Sequence, residues 1–241
     1  MKLRSCVMTI KEFLSLHIET SNNCDFFLKG TDHYTIPLYQ REYKWSGIRV
    51  EQLIRDIKNN DKLLGIVILN RNDKKDSYDI VDGQQRITTM ILILAALFNH
   101  AKKEESTKPC PDQEDILEYI QRPDTGLRLE NESIGSWLKL EENEMVVTIN
   151  QEDDVYHQKE IFEKHWNQIN HILDQEQIVG RKFLDHCLDC EILVLSCDAL
   201  NRADSPEHIL WISMIKKRQW IRKIFLKAIA LRFVFRNIMK N

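Results

Sequence analysis

Apolar and polar residues alternate along this chain at spacings that predict a sequence of elements. From Thr9 to Leu16 the apolar positions have helical spacing, and Thr9 and Glu12 stand three residues apart, as in a capping box. His33 to Pro37 reads as a strand whose continuation Pro37 restricts. Val50, Leu53, Ile54 and Ile57 share one face of a helix that Ser46 can cap and that runs through Lys58. Lys62 to Asn70 is a nearly continuous apolar run, the pattern of a strand buried on both faces. The polar stretch Arg71 to Ser77 predicts a hairpin-like connection to a second strand, Tyr78 to Val81. Gln84 to Ala101 then reads as a long buried helix.

The pattern changes after Lys102. Lys102 to Asp115 is polar with two prolines and reads as a loop. Ile116 to Ile120, Ser133 to Leu140 and Tyr156 to Leu173 read as helices. The acidic stretch from Glu141 to Asp154 predicts a solvated loop or turn, and Cys190 to Ser196 a late strand. From Ile209 onward the chain is basic and apolar in a helix-compatible pattern. The organisation expected is α+β: a sheet-bearing segment over 1–103, a mainly helical segment with a late strand over 104–208, and a tail over 209–241.

Composition narrows the class. With 43% hydrophobic and 29% charged residues the chain is a folded soluble protein, and few glycines and prolines favour long helices over many tight turns. Charge is unevenly placed. Nine lysines and arginines and no acid follow Glu207, so +9 there within −3 overall leaves −12 for the rest. Such a tail suits an acidic body, nucleic-acid phosphate or a membrane surface. The longest apolar run, Met90 to Phe98, is too short to span a bilayer. The N-terminus has no secretory core, so a cytoplasmic protein with six free thiols is expected.

The candidate chemistry begins at Ile80 to Arg86, IVDGQQR, between a strand and a long helix. A helix N-terminus offers unpaired N–H groups and the positive end of a dipole, both favourable to an anion. Gly83 lets the backbone approach a ligand, and Arg86 carries a forked cation suited to phosphate. Asp82 can cap the helix, hold magnesium or orient water, while Gln84 and Gln85 can position that water or read a base. The same residues also fit a plain Asp82 cap and turn glycine before a core helix. Upstream, Ile36 to Trp45 reads IPLYQREYKW and sets Gln40, Arg41 and Lys44 among Tyr39, Tyr43 and Trp45. Aromatics beside cations suit base stacking and phosphate neutralisation, or an amphipathic loop with snorkelling cations.

Together, IPLYQREYKWS, LLGIVIL and YDIVDGQQRITTMILILAAL resemble the N-terminal domain of GmrSD-type restriction proteins. The resemblance is close from Thr35 to Leu97 and looser to about Cys197. It implies a ParB/sulfiredoxin-like mixed sheet with helices, followed by a helical subdomain. It further implies that IVDGQQR handles a nucleoside triphosphate with Mg²⁺. On that basis Asp82, Gln84, Gln85, Arg86 and Arg41 are the catalytic candidates of an Mg-dependent nucleoside triphosphatase. Tyr39, Gln40, Arg41, Gly83 and Arg86 are the nucleotide-binding candidates, and Asp82 is the metal candidate. Partners implied are the nucleotide, DNA and a separate nuclease subunit, with no membrane.

Departures from the family also matter. An HNH-type nuclease needs a histidine base beside metal ligands, and no such constellation follows His208. The stretch Cys197 to Trp220 keeps only Leu200-Asn201-Arg202 of the phrase that relatives carry there. Loss of acids and glycines in the tail is what a frameshifted or truncated frame produces. Three functions are therefore expected: an NTP-handling regulatory domain, a non-catalytic ParB-like DNA-binding module, or a non-functional remnant. His186-Cys187-x-x-Cys190 has metal-like local spacing without a completing pair, so structural thiols are expected. His157, His165 and His171 lack the helical spacing of ligands.

Overall fold

Thr9 is where the first strand passes into the first helix. β1 (Leu3–Thr9) ends there and α1 (Ile10–Ser15) begins, with Thr9 Oγ1 accepting from the Glu12 N–H. The Glu12 carboxylate accepts from the Thr9 N–H at 2.8 Å, which completes the expected capping box. The computed structural model describes residues 3–16, 33–60, 62–72, 76–103, 113–124, 126–149, 156–175 and 180–197. The expected tail over 209–241 and the Leu200-Asn201-Arg202 fragment lie outside the described residues.

The remaining elements follow in order: β2 (Tyr34–Ile36), α2 (Gly47–Lys58), β3 (Leu63–Asn72), β4 (Ser77–Asp82), α3 (Gln84–Lys103) and α4 (Gln113–Ile120). After these come β5 (Leu129–Asn131), β6 (Leu138–Glu141), β7 (Glu144–Val147), α5 (Tyr156–Gln175), α6 (Arg181–Asp189) and β8 (Glu191–Cys197). Six strands form one mixed sheet in the order β1-β8-β3-β4-β2-β5. β8 runs antiparallel to β1 and parallel to β3, β3 and β4 form an antiparallel hairpin, and β2 lies parallel to both β4 and β5. The fold is α+β. Because β5 and β8 come from beyond residue 103, the sheet draws on both of the segments that the sequence pattern separates.

The central strand and the central helix lie at the heart of the core. In β3, residues 67–70 are buried, as the continuous apolar run predicts. Met90 to Phe98 of α3 is buried throughout, and the helix packs against α4, α5 and β7. Each large apolar side chain so removed from water stabilises the fold by roughly 1.5–3 kcal/mol. α2 buries Val50, Leu53, Ile54 and Ile57, the predicted face, and Ser46 sits at its N-cap without a side-chain bond.

Four expectations need correction. Ser133 to Leu140 is not a helix: Gly135 sits at φ +65, and the chain turns there and enters β6. Ile134, Trp137 and Leu138 have helical spacing because they face the core from a turn and a strand start. Part of the acidic stretch is β7, joined to β6 by Glu142 and Asn143, both at positive φ as a tight hairpin turn requires. The loop expected to reach Asp115 gives way to α4 at Gln113. Cys6 is disulfide-bonded rather than a free thiol, whereas Cys187 and Cys190 are not in disulfides, as expected. No helix among the described residues is long and apolar enough to cross a membrane.

Candidate functional site

The site grows from an irregularity in the hairpin. Ile68 pairs with Asp82 and Leu69 with Ile80, so Val81 is an extra residue in β4 and its carbonyl needs a partner outside the ladder. Gln40 supplies it, donating from Nε2 to Val81 O at 2.8 Å. One residue beyond Asp82, Gly83 adopts φ +99, a conformation that suits glycine. Its carbonyl accepts from the N–H groups of Arg86 (3.0 Å) and Ile87 (3.2 Å), which makes Gly83 the N-cap of α3. Asp82 does not cap the helix. Its Oδ1 accepts from the adjacent Gly83 N–H at 3.0 Å, and the carboxylate is exposed. The N–H groups of Gln84 and Gln85 have no acceptor among the described residues.

The two glutamine side chains face inward and hold the upstream segment. Gln85 Nε2 donates to Glu42 O at 3.0 Å, and its Oε1 accepts from the Lys44 N–H at 2.6 Å. One side-chain amide thus imitates a rung of a β-ladder across residues 42 and 44. Gln84 Nε2 donates to Arg41 O at 3.0 Å and to Gln40 Oε1 at 3.2 Å. Thr89 donates to Gln85 O at 2.7 Å, so the Tyr43 hydroxyl, 2.7 Å from Thr89 Oγ1, is the donor of that pair. On the opposite side α5 holds the same segment: Gln158 Oε1 accepts from Tyr43 N–H, His165 Nε2 donates to Trp45 O, and Gln168 donates to Gly47 O. Residues 41–46 have no regular secondary structure, yet their backbone is fixed from two helices.

Three side chains on this frame are left with spare capacity. Arg86 is largely buried, and its guanidinium has one bond, from Nη1 to Ile66 O at 3.3 Å. No carboxylate pairs with it among the described residues. Burial pulls its pKa down and the charge of Asp82 offsets part of this. A guanidinium stays a cation because its ordinary pKa lies so far above neutrality. Arg41 is exposed, and its side chain has no partner among the described residues. Tyr39 is 55% exposed on a turn after β2, beside Leu38 at 69%. Burial of its hydroxyl, with Asp79 adding, raises the Tyr39 pKa to about 12. Lys44, by contrast, is paired with Glu42 at 3.1 Å.

A family model, GmrSD restriction endonuclease, N-terminal domain, matches residues 24–225. The chain belongs to this family. The match takes in every residue of the site and is wider than the stretch from Thr35 to Cys197 that carries the motifs, reaching into the basic tail. No curated protein matches the chain.

Within this GmrSD N-terminal domain the other candidate residues take structural positions. His165 is buried on α5 and binds Trp45 O, while His157 and His171 are exposed. Cys187 and Cys190 are buried at the end of α6, and burial pushes the Cys187 thiol up, with Cys190 adding. No group of three or more His, Cys, Asp or Glu among the described residues can cage a metal. The motifs did not single out Gly65, Thr89, Gln158 or Gln168. Only Gly65 carries a signal in the sequence: it is the one glycine inside an otherwise apolar strand run, the mark of a bulge or a close approach.

Proposed function

We propose that this GmrSD N-terminal domain binds a nucleoside triphosphate at the N-terminus of α3 and hydrolyses it as the regulatory step of a restriction system. The observation that carries the reading is Arg86, a largely buried cation with one carbonyl partner and no ion pair among the described residues, the Asp82 charge acting on it without a bond. A desolvated charge left in that state is costly unless an anion completes it. The open N–H groups of Gln84 and Gln85 and the positive end of α3 favour the same anion.

The roles follow from position. Arg86 and the two N–H groups hold phosphate oxygens, and the exposed Arg41 neutralises charge that develops on the transferred group. Gln84, Gln85 and Gln40 act by fixing the backbone at Arg41, and Gly83 by admitting the helix end. Asp82 keeps carboxylate oxygen free beyond its bond to Gly83, which fits a magnesium ion that retains waters and takes phosphate oxygens. When bound, that ion supplies charge neutralisation between phosphates. DNA cleavage is assigned to an HNH-type nuclease, not to these residues.

A second reading is a DNA-binding module without turnover, supported by the exposed Leu38 and Tyr39 beside Arg41, whose side chain has no partner among the described residues. Phosphate release with Mg²⁺ from each of the four common nucleoside triphosphates, compared with Arg86→Ala and Asp82→Ala, separates the two. Turnover lost in both variants, with binding retained in Asp82→Ala, is the expected result. Binding of nucleotide or DNA without turnover favours the module, and neither binding nor turnover would favour the remnant.

A further inference from the structure

We infer that Gly65 is the positioning residue for Arg86: a bulge in β3 places a position with no Cβ against the guanidinium and reserves the slot it occupies. The inference rests on the reading that Arg86 binds phosphate. β3 and β8 run parallel, with Leu63 opposite Glu191 and Gly65 opposite Ile192, so Leu64 is the extra residue. Gly65 stands at φ +128, which L side chains rarely adopt. A Cβ built there would lie 2.9 Å from Arg86 Nη2, 3.0 Å from Cζ and 3.1 Å from Nη1. The next residue, Ile66, offers its carbonyl to Arg86 Nη1 at 3.3 Å.

A second glycine closes the arrangement. A Cβ on Gly83 would lie 3.1 Å from Ile66 O and 3.2 Å from Val67 Cα. The first turn of α3 therefore meets β3 along a seam in which Gly65 faces the guanidinium and Gly83 faces Ile66 and Val67. The device solves a conflict. A carboxylate would hold Arg86 in place but would neutralise the charge that a phosphate needs. A steric slot with one carbonyl holds the side chain and leaves most of its fork unbonded among the described residues. At Gly65 β3 pairs with β8 alone, pairing to β4 beginning at Ile68, so a methyl at position 65 strains the backbone there and also crowds the guanidinium. The double variant separates the two effects.

The test is a double-mutant cycle on the full chain: wild type, Gly65→Ala, Arg86→Ala and the double variant. Inorganic tripolyphosphate with Mg²⁺, read by calorimetry, probes the phosphate site without regard to the base. Expected are a tenfold or greater rise in Kd for Arg86→Ala, a fivefold or greater rise for Gly65→Ala, and a double variant within twofold of Arg86→Ala. The double variant should also melt above Gly65→Ala, because the added methyl no longer meets a guanidinium. Wild-type binding by Arg86→Ala would overturn the phosphate reading itself. Weak binding by Arg86→Ala with wild-type binding by Gly65→Ala would overturn the role of Gly65 alone. Effects that multiply in the double variant, or a double variant that melts no higher than Gly65→Ala, would place the glycine's role in the strand backbone and overturn it too. If Gly65→Ala does not fold, a double variant that folds supports the role of Gly65 and a double variant that also fails to fold overturns it.

Discussion

Two junctions between helix and strand gather reactive residue types, and the fold treats them in opposite ways. Where β4 passes into α3, Arg86 is largely buried with a single carbonyl partner, and two backbone N–H groups have no acceptor among the described residues. Where α6 passes into β8, Cys187 and Cys190 are buried, and burial holds the Cys187 thiol neutral. The Cys190 N–H is bonded to His186 O at 3.1 Å, so that turn closes on itself. Both junctions carry motif-like spacing. What separates them is unsatisfied capacity: the first presents charge and donors that the described residues do not complete, the second buries its thiols away from water.

The sharpest way to break this contrast is Arg86→Met, which keeps much of the volume and removes the charge. If Arg86 is there for a ligand, binding of tripolyphosphate should fall by roughly 10- to 150-fold, the worth of charge-assisted hydrogen bonds. Stability should stay level or rise by about 1 kcal/mol, since a desolvated cation without an ion pair is replaced by an apolar chain. Urea unfolding of the ligand-free protein checks the second half. A large loss of stability together with the loss of binding would make Arg86 a structural residue and erase the contrast.

Gln85→Leu tests the frame rather than the charge. Glu42 O and Lys44 N–H lose their side-chain partner, which should cost about 1–3 kcal/mol of stability. Arg41 belongs to the same fixed segment, so turnover should fall while tripolyphosphate binding through Arg86 falls less. Equal losses in binding and turnover would show that the glutamine touches the phosphate directly. Tyr43→Phe removes one buried hydroxyl bond to Thr89 and should cost less, about 0.5–1.5 kcal/mol, by the same measurement.

How much of this was legible in the sequence follows from the reach of each interaction. The Thr9–Glu12 box spans three residues and was readable, as were the buried faces of α2 and α3, because a helix repeats its environment every turn. The hairpin β6–β7 was not, since Glu142 and Asn143 take positive φ without the glycine that usually marks such a turn. α6 has Phe183, Leu184, Cys187 and Leu188 at helical spacing but is only nine residues long, and its N-cap Gly180 carries no capping side chain to mark its start. At the site, the residue types at 82–86 were legible from the strand–glycine–helix order. The partners of Gln85 lie 41 and 43 residues away, and the α5 partners of the Tyr43 and Trp45 backbone more than 110 away. No local pattern carries that information.

The smallest effect belongs to the quiet junction. Cys187 has its thiol pKa raised by burial, so the folded state favours the neutral form. The sign follows: its contribution is fully present below the unfolded thiol pKa of about 8.5 and is lost as pH rises, because only the unfolded chain then ionises freely. The slope contributed by this group is at most about 1.4 kcal/mol per pH unit. Urea midpoints taken from pH 7 to pH 9.5 should therefore fall more steeply for the wild type than for Cys187→Ala. Tripolyphosphate binding at pH 7 should agree within twofold between the two. A parallel pH dependence would show that the thiol is not held neutral by the fold. A tenfold loss of binding would mean instead that the end of α6 communicates with the first turn of α3, and the two junctions would have to be treated as one site.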